Sequence, residues 1–140
     1  MARHHGNEEQ GRHTRTLFKQ IAAMRLEDAR VLLSQNRLHG AIYLAGYSVE
    51  CALKWAITRR LDRACLPADL EIHDLQKLIG ESGLMAQLRE DREISKLFSA
   101  LVDDWGPQGR YAAPRLDAGT AKRLYNQTRQ VYAWVLERAI

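Results

Sequence analysis

Cysteine, proline and unbroken apolar stretches are all scarce in this chain, and each shortage removes a class of protein. Cys51 and Cys65 are the only cysteines in 140 residues, so no disulfide framework holds the fold. If the helix that contains Cys51 runs on to about residue 63, the two thiols stand roughly 20 Å apart at the helical rise and cannot bridge. Three prolines and nine glycines are too few for a disordered or fibrous chain. No apolar run approaches the roughly 20 residues of a membrane span, and the amino terminus shows no signal-peptide pattern. A reduced, cytoplasmic protein without membrane contact is expected. Also missing are a GxSxG elbow, a glycine-rich phosphate loop and a histidine adjacent to either cysteine, so nucleophilic catalysis has no motif to rest on.

What is present is a globular composition, 46% hydrophobic and 27% charged, at a length that suits one core. The 21 basic residues exceed the 17 acidic ones, for a formal charge of +4. Because the two signs are interspersed, this bias permits attraction to nucleic acid or an acidic partner without marking a nucleic-acid tail. Arg59, Arg60 and Arg63 form the densest basic cluster, at a place where cations complement the end of a helix.

Along the chain, residues 1–13 are almost wholly polar and read as a mobile tail. His4, His5 and His13 lie there without the fixed geometry or ligand spacing of a metal site, and neither a metal nor another cofactor is expected. Residues 14–140 are expected to form one domain. Leu17, Ile21, Met24, Val31 and Leu32 recur at helical intervals from about 15 to 35, with Asn36 as the stop. Residues 38–62 contain GAIYLAGYSVECALKWAI, so apolar that most of the helix circumference must be covered, with Gly40 and Gly46 allowing close approach. A break at Cys65, Leu66 and Pro67 precedes a short helix in HDLQKLI that ends near Ser82 and Gly83. A further helix over about 84–105 carries the stripe Ile94, Leu97, Phe98, Leu101, Val102 and Trp105. A last helix over about 120–139, capped by Asp117 or Thr120, carries Ala121, Leu124, Tyr125, Thr128, Val131, Tyr132, Val135 and Ala139. No segment alternates at period two. The fold class is therefore all-α: an antiparallel up-and-down helical bundle of about five helices with one long loop at 106–119.

Three groups of residues are suited to chemistry. Tyr43, Tyr47, Glu50 and Lys54 form one polar-tipped stripe on the central helix. It reads either as a groove with Glu50 as a hydrogen-bonding or acid/base group and the tyrosines as stacking surfaces, or as an ordinary i, i+4 pair on a solvated face. His73, beside Asp74, opens the short helix, where it would contact phosphate or act as a cap. Arg110 and Tyr111, with Arg115 in the long loop, pair a cation with an aromatic ring, suiting phosphate and base or pinning the loop to the bundle.

The run RLEDARVLLSQNRLHGAIYLAGYSVECALKWAI, followed by HDLQKLI, a tryptophan, an RY pair and a final amphipathic helix, resembles the HEPN family over nearly everything after the tail. Its most specific portion is GAIYLAGYSVECALK at 40–54, with His73, Asp74, Leu75, Arg110 and Tyr111 in order. The resemblance implies a helical bundle, commonly a homodimer, often encoded beside a minimal nucleotidyltransferase or forming part of a toxin–antitoxin pair. Some members are metal-independent ribonucleases whose signature is an arginine and, four to six residues on, a histidine. That signature is missing: no histidine follows His73, and Arg63 precedes it by nine intervening residues, while His39 stands two positions after Arg37. Three readings follow. The first is a non-catalytic accessory module that binds a nucleotide, RNA or a partner nucleotidyltransferase in a cleft formed by Tyr43, Tyr47, Glu50, His73, Arg110 and Tyr111. The second is a ribonuclease using His73 with Arg63 or Arg110. The third is a dimerising module with an exposed aromatic surface that includes Trp55 or Trp134.

Overall fold

The computed structural model describes residues 14–105 and 116–139. The expected tail with its histidines, and Arg110, Tyr111 and Arg115, lie outside the described residues. Among these described residues six α-helices follow in order: α1 Arg15–Ser34, α2 Leu38–Arg60, α3 Leu75–Ser82, α4 Met85–Glu90, α5 Arg92–Trp105 and α6 Ala118–Arg138. Among the described residues there is no strand, only an isolated antiparallel bridge between Thr14 and Cys65. No described helix is long and apolar enough to cross a membrane.

Local chemistry sets the boundaries. The Thr14 hydroxyl accepts from the Leu17 amide, the Asp74 carboxylate from Gln76 and Lys77, and the Asp117 carboxylate from Thr120, so the starts of α1, α3 and α6 have a side-chain acceptor for their free amides. Asp117, not Thr120, therefore caps α6, and Asp74, not His73, caps α3. Asn36 adopts φ 58° and turns α1 into α2, while Gly83 at φ 80° ends α3. The helix expected over 84–105 is two helices, because Asp91 takes an extended conformation and its carboxylate accepts from the Ile94 amide, starting α5 afresh.

The central helix is α2, as its greasy sequence requires. Every residue from Ser48 to Thr58 is buried, and α1, α3, α5 and α6 all pack on it. The Arg15 guanidinium at the start of α1 reaches the carbonyls of Thr58 and Arg63, which places the two helices antiparallel and satisfies carbonyls left open at the end of α2. The segment 61–74 carries the chain back to mid-α2, so α3 runs parallel to α2, with His73 beside Glu50 and Gly83 beside Arg60. An isolated 3-10 turn, Ala68–Leu70, lies in that return and buries Leu70.

Two expectations about packing are corrected. Met24 and Val31 are exposed, at 54% and 45%. The face of α1 turned to the core is instead Phe18, Ala22 and Ala29, because small alanines let α1 lie close to α2. Trp55 and Trp134 are buried, at 4% and 5% exposure, and build no exposed aromatic surface. Gly46 does permit a close approach. A Cβ there would stand 2.2 Å from the Trp105 indole, so α5 seats its last side chain directly on the α2 backbone. The indole Nε1 donates to the Tyr43 carbonyl at 2.9 Å, and the Tyr43 and Trp105 rings lie 6.0 Å apart.

Candidate functional site

The polar stripe on α2 is not a solvated face. Glu50 has no exposed surface at all, and the Lys54 side chain only 8%. Lys54 Nζ donates to Glu50 Oε2 at 3.1 Å and lies 6.0 Å from the Phe18 ring, so its charge is shared between a carboxylate and an aromatic face. The other carboxylate oxygen, Oε1, stands 2.9 Å from His73 Nδ1. Burying a carboxylate is costly unless it is both paired and hydrogen-bonded, and here both oxygens are used.

That arrangement fixes the histidine. A carboxylate paired with lysine can only accept, so Nδ1 carries the imidazole proton and Nε2 is left as the acceptor on the far side of the ring. The His73 side chain is 67% exposed and borders an open cleft of about 770 Å³ between the α3 start and the end of α5, whose walls include Glu71, Lys77, Val102 and Trp105. The result is an imidazole oriented by a buried carboxylate, with Lys77 and the carboxylates of Glu71 and Asp74 nearby and an indole and valine as apolar wall. Such a site can accept or donate a proton at Nε2, or hold a phosphate oxygen once protonated.

Of the residues singled out in the sequence, Glu50, Lys54 and His73 come together. Tyr43 is partly exposed and lies against Trp105. Tyr47 is partly buried against the core. Its hydroxyl is engaged with Cys51, and its pKa is pushed up to about 12, first by burial and then by the neighbouring Cys51. Burial and the charge of Glu50 push the Cys51 thiol up to about 12 as well, which keeps it inert. Arg63 lies beyond the far end of α2, some 15 Å or more along the axis from Glu50 at the helical rise. The pairing of Arg63 with His73 is thereby corrected. Lys77 and Trp105 are lining residues that the sequence reading did not assign. Lys77 lies in the first turn of α3, four positions after His73, which precedes the helix cap Asp74.

The match to a family model decides what this site belongs to: residues 16–139 match the HEPN domain. The chain belongs to the HEPN family. Comparison with curated proteins and with solved structures returned no match. In this HEPN domain, then, the conspicuous polar feature of the core is a Glu50–Lys54–His73 cluster opening onto a cleft. Among the described residues, no arginine lines that cleft. Among the described residues no group of three or more His, Cys, Asp or Glu side chains is placed to hold a metal ion.

Proposed function

We propose that this HEPN domain binds a nucleotide or RNA in the cleft beside His73 without cleaving it. The phosphate accepts from Lys77 and from Nε2–H of His73 in its imidazolium form, and the base lies toward Val102 and Trp105. One observation carries the reading: a fully buried carboxylate, Glu50, holds His73 by Nδ1 at 2.9 Å and so presents its opposite nitrogen to an open cleft. A domain with no use for that imidazole would be better served by an apolar residue at position 50, because a buried ion pair contributes little net stability.

The reading extends to a homodimer acting as an accessory to a minimal nucleotidyltransferase, in a toxin–antitoxin-like pair. That extension rests on family membership alone. The same hydrogen bond favours a second, nucleolytic reading, since it would orient Nε2 as a proton acceptor. Against it, no arginine is among the described residues that line the cleft.

The test is titration of nucleotides and short RNAs onto the wild-type protein and onto His73→Gln and Lys77→Gln, with RNA length followed in the same samples. Each variant should weaken binding about tenfold, the loss of one charge-assisted hydrogen bond, and the RNA should remain intact. Unchanged affinity in both variants would remove the proposal. RNA shortening that His73→Gln abolishes would replace it with the nucleolytic reading.

A further inference from the structure

At the opposite end of α2 three arginines surround a separate pocket, and we infer that this pocket binds a phosphate group. The pocket, of about 310 Å³, is lined by Arg59, Arg60 and Arg138 together with Ser82 and Gly83, and among the described residues no carboxylate side chain lines it. It forms where the ends of α2, α3 and α6 meet. The helix ends explain part of the arginine content: Arg59 Nε donates to the Ala139 carbonyl at 2.8 Å and Arg60 to the Glu81 carbonyl at 3.1 Å.

Those bonds leave most of each guanidinium uncommitted. Arg59 and Arg60 each give one donor to a carbonyl, none of the three arginines makes an ion pair among the described residues, and a guanidinium has several N–H groups in a fixed fork. The bonds also immobilise the arginines. The Arg59 guanidinium lies 5.5 Å from the centre of the Trp55 ring, and that of Arg138 5.7 Å from the Trp134 ring. Arg60 lies across Gly83, where an added Cβ would stand 2.7 Å from its Cδ. A cluster held in this way has already lost the side-chain entropy that surface arginines lose on binding, so an anion meets preorganised donors. Ser82 takes no part, because its hydroxyl donates to Ile79 and accepts from Leu84. Arg138 also borders a neighbouring cleft that contains Glu90 and Asp91, which makes Arg59 and Arg60 the principal ligands. Arg59 follows Glu50 by nine positions, about 13 Å along the axis, so this pocket is distinct from the His73 cleft.

Inorganic pyrophosphate and a short oligouridylate are the probes, titrated by calorimetry onto wild-type protein and onto His73→Gln, which keeps the two ends of α2 apart. In both backgrounds Arg60→Gln should weaken pyrophosphate binding about tenfold. Arg123→Gln, which removes the same charge from the start of α6, should leave binding unchanged. Circular dichroism confirms the fold of each variant. If oligouridylate weakens together with pyrophosphate, and its salt slope falls by about 0.7, the natural ligand is a strand phosphate. If oligouridylate is unaffected, the ligand is a small free phosphate. Absence of pyrophosphate binding, or equal losses in Arg60→Gln and Arg123→Gln, would overturn the inference, the latter because it would reveal only diffuse attraction.

Discussion

Two acid–base pairs of this domain are nearly interchangeable as sequence and opposite as structure. On α1, Glu27 and Arg30 stand three residues apart with both side chains more than half exposed. On α2, Glu50 and Lys54 stand four apart with the carboxylate wholly enclosed. Water solvates the first pair whether or not it closes, so its contact changes little, although the Arg30 hydrogen bond does hold the Glu27 carboxyl below its ordinary range. The second pair has no such alternative, and within the core each partner depends on the other, with His73 on the remaining carboxylate oxygen, to offset its lost hydration. The same charges are decoration at one site and a structural commitment at the other.

The largest effect should come from separating the buried pair. Glu50→Ala strands the Lys54 ammonium in the core and should cost about 3–5 kcal/mol in urea unfolding. Replacing both partners with apolar residues, Glu50→Leu with Lys54→Met, should recover most of that loss while leaving His73 without its anchor. Stability would return and ligand binding in the cleft would not. If ligand binding returned as well, the buried carboxylate would have no role in the site.

An intermediate effect is expected at alkaline pH. The Cys51 thiol is raised from 9.0 to about 12 and the Tyr47 hydroxyl from 10.0 to about 12, in both cases mainly by burial. These acids keep their protons in the folded state where the unfolded chain has released them. Their stabilising contribution is therefore complete below pH 9 and is lost as pH climbs toward 12. Melting temperature measured from pH 8 to 11 should fall, and Cys51→Ala should make the fall shallower. An unaltered slope would show that Cys51 gives up its proton without penalty. The smallest effect belongs to the surface pair: Glu27→Ala should not measurably move the melting temperature, and a clear drop would erase the contrast between the two pairs.

Much of the architecture could be read from periodicity. The α5 stripe ending at Trp105 packs as its spacing dictates, and Asn36 and Gly83 stop their helices in the left-handed conformation. Reading α1 by its bulkiest residues misplaced its buried face, since Ala22 and Ala29 carry too little side chain to register in a hydrophobic pattern. The site was only half legible. That something polar had to meet the α2 stripe followed from the apolar surroundings. Burial of Glu50 did not, because an i, i+4 glutamate and lysine look the same in solvent and in a core. His73 meets Glu50 only because residues 61–74 double back along α2, a long-range event with no local signature. The role of Arg59 and Arg60 was legible as far as a helix end, but not their convergence with Arg138, which lies more than 70 positions away in the chain.

The slot at Gly46 also decides among competing registers. An almost uniformly apolar helix such as α2 can be covered by its neighbours at several heights, each burying a similar area and differing little in free energy. Trp105 fits only where the α2 backbone is bare. A slip of one turn, about 5.4 Å, would set the indole against Ile42 and Tyr43 or against Val49 and Glu50, whose side chains fill that space. The missing side chain thus acts as a detent that selects one height for α5 among near-equals. The cleft wall opposite His73 inherits its position from that choice.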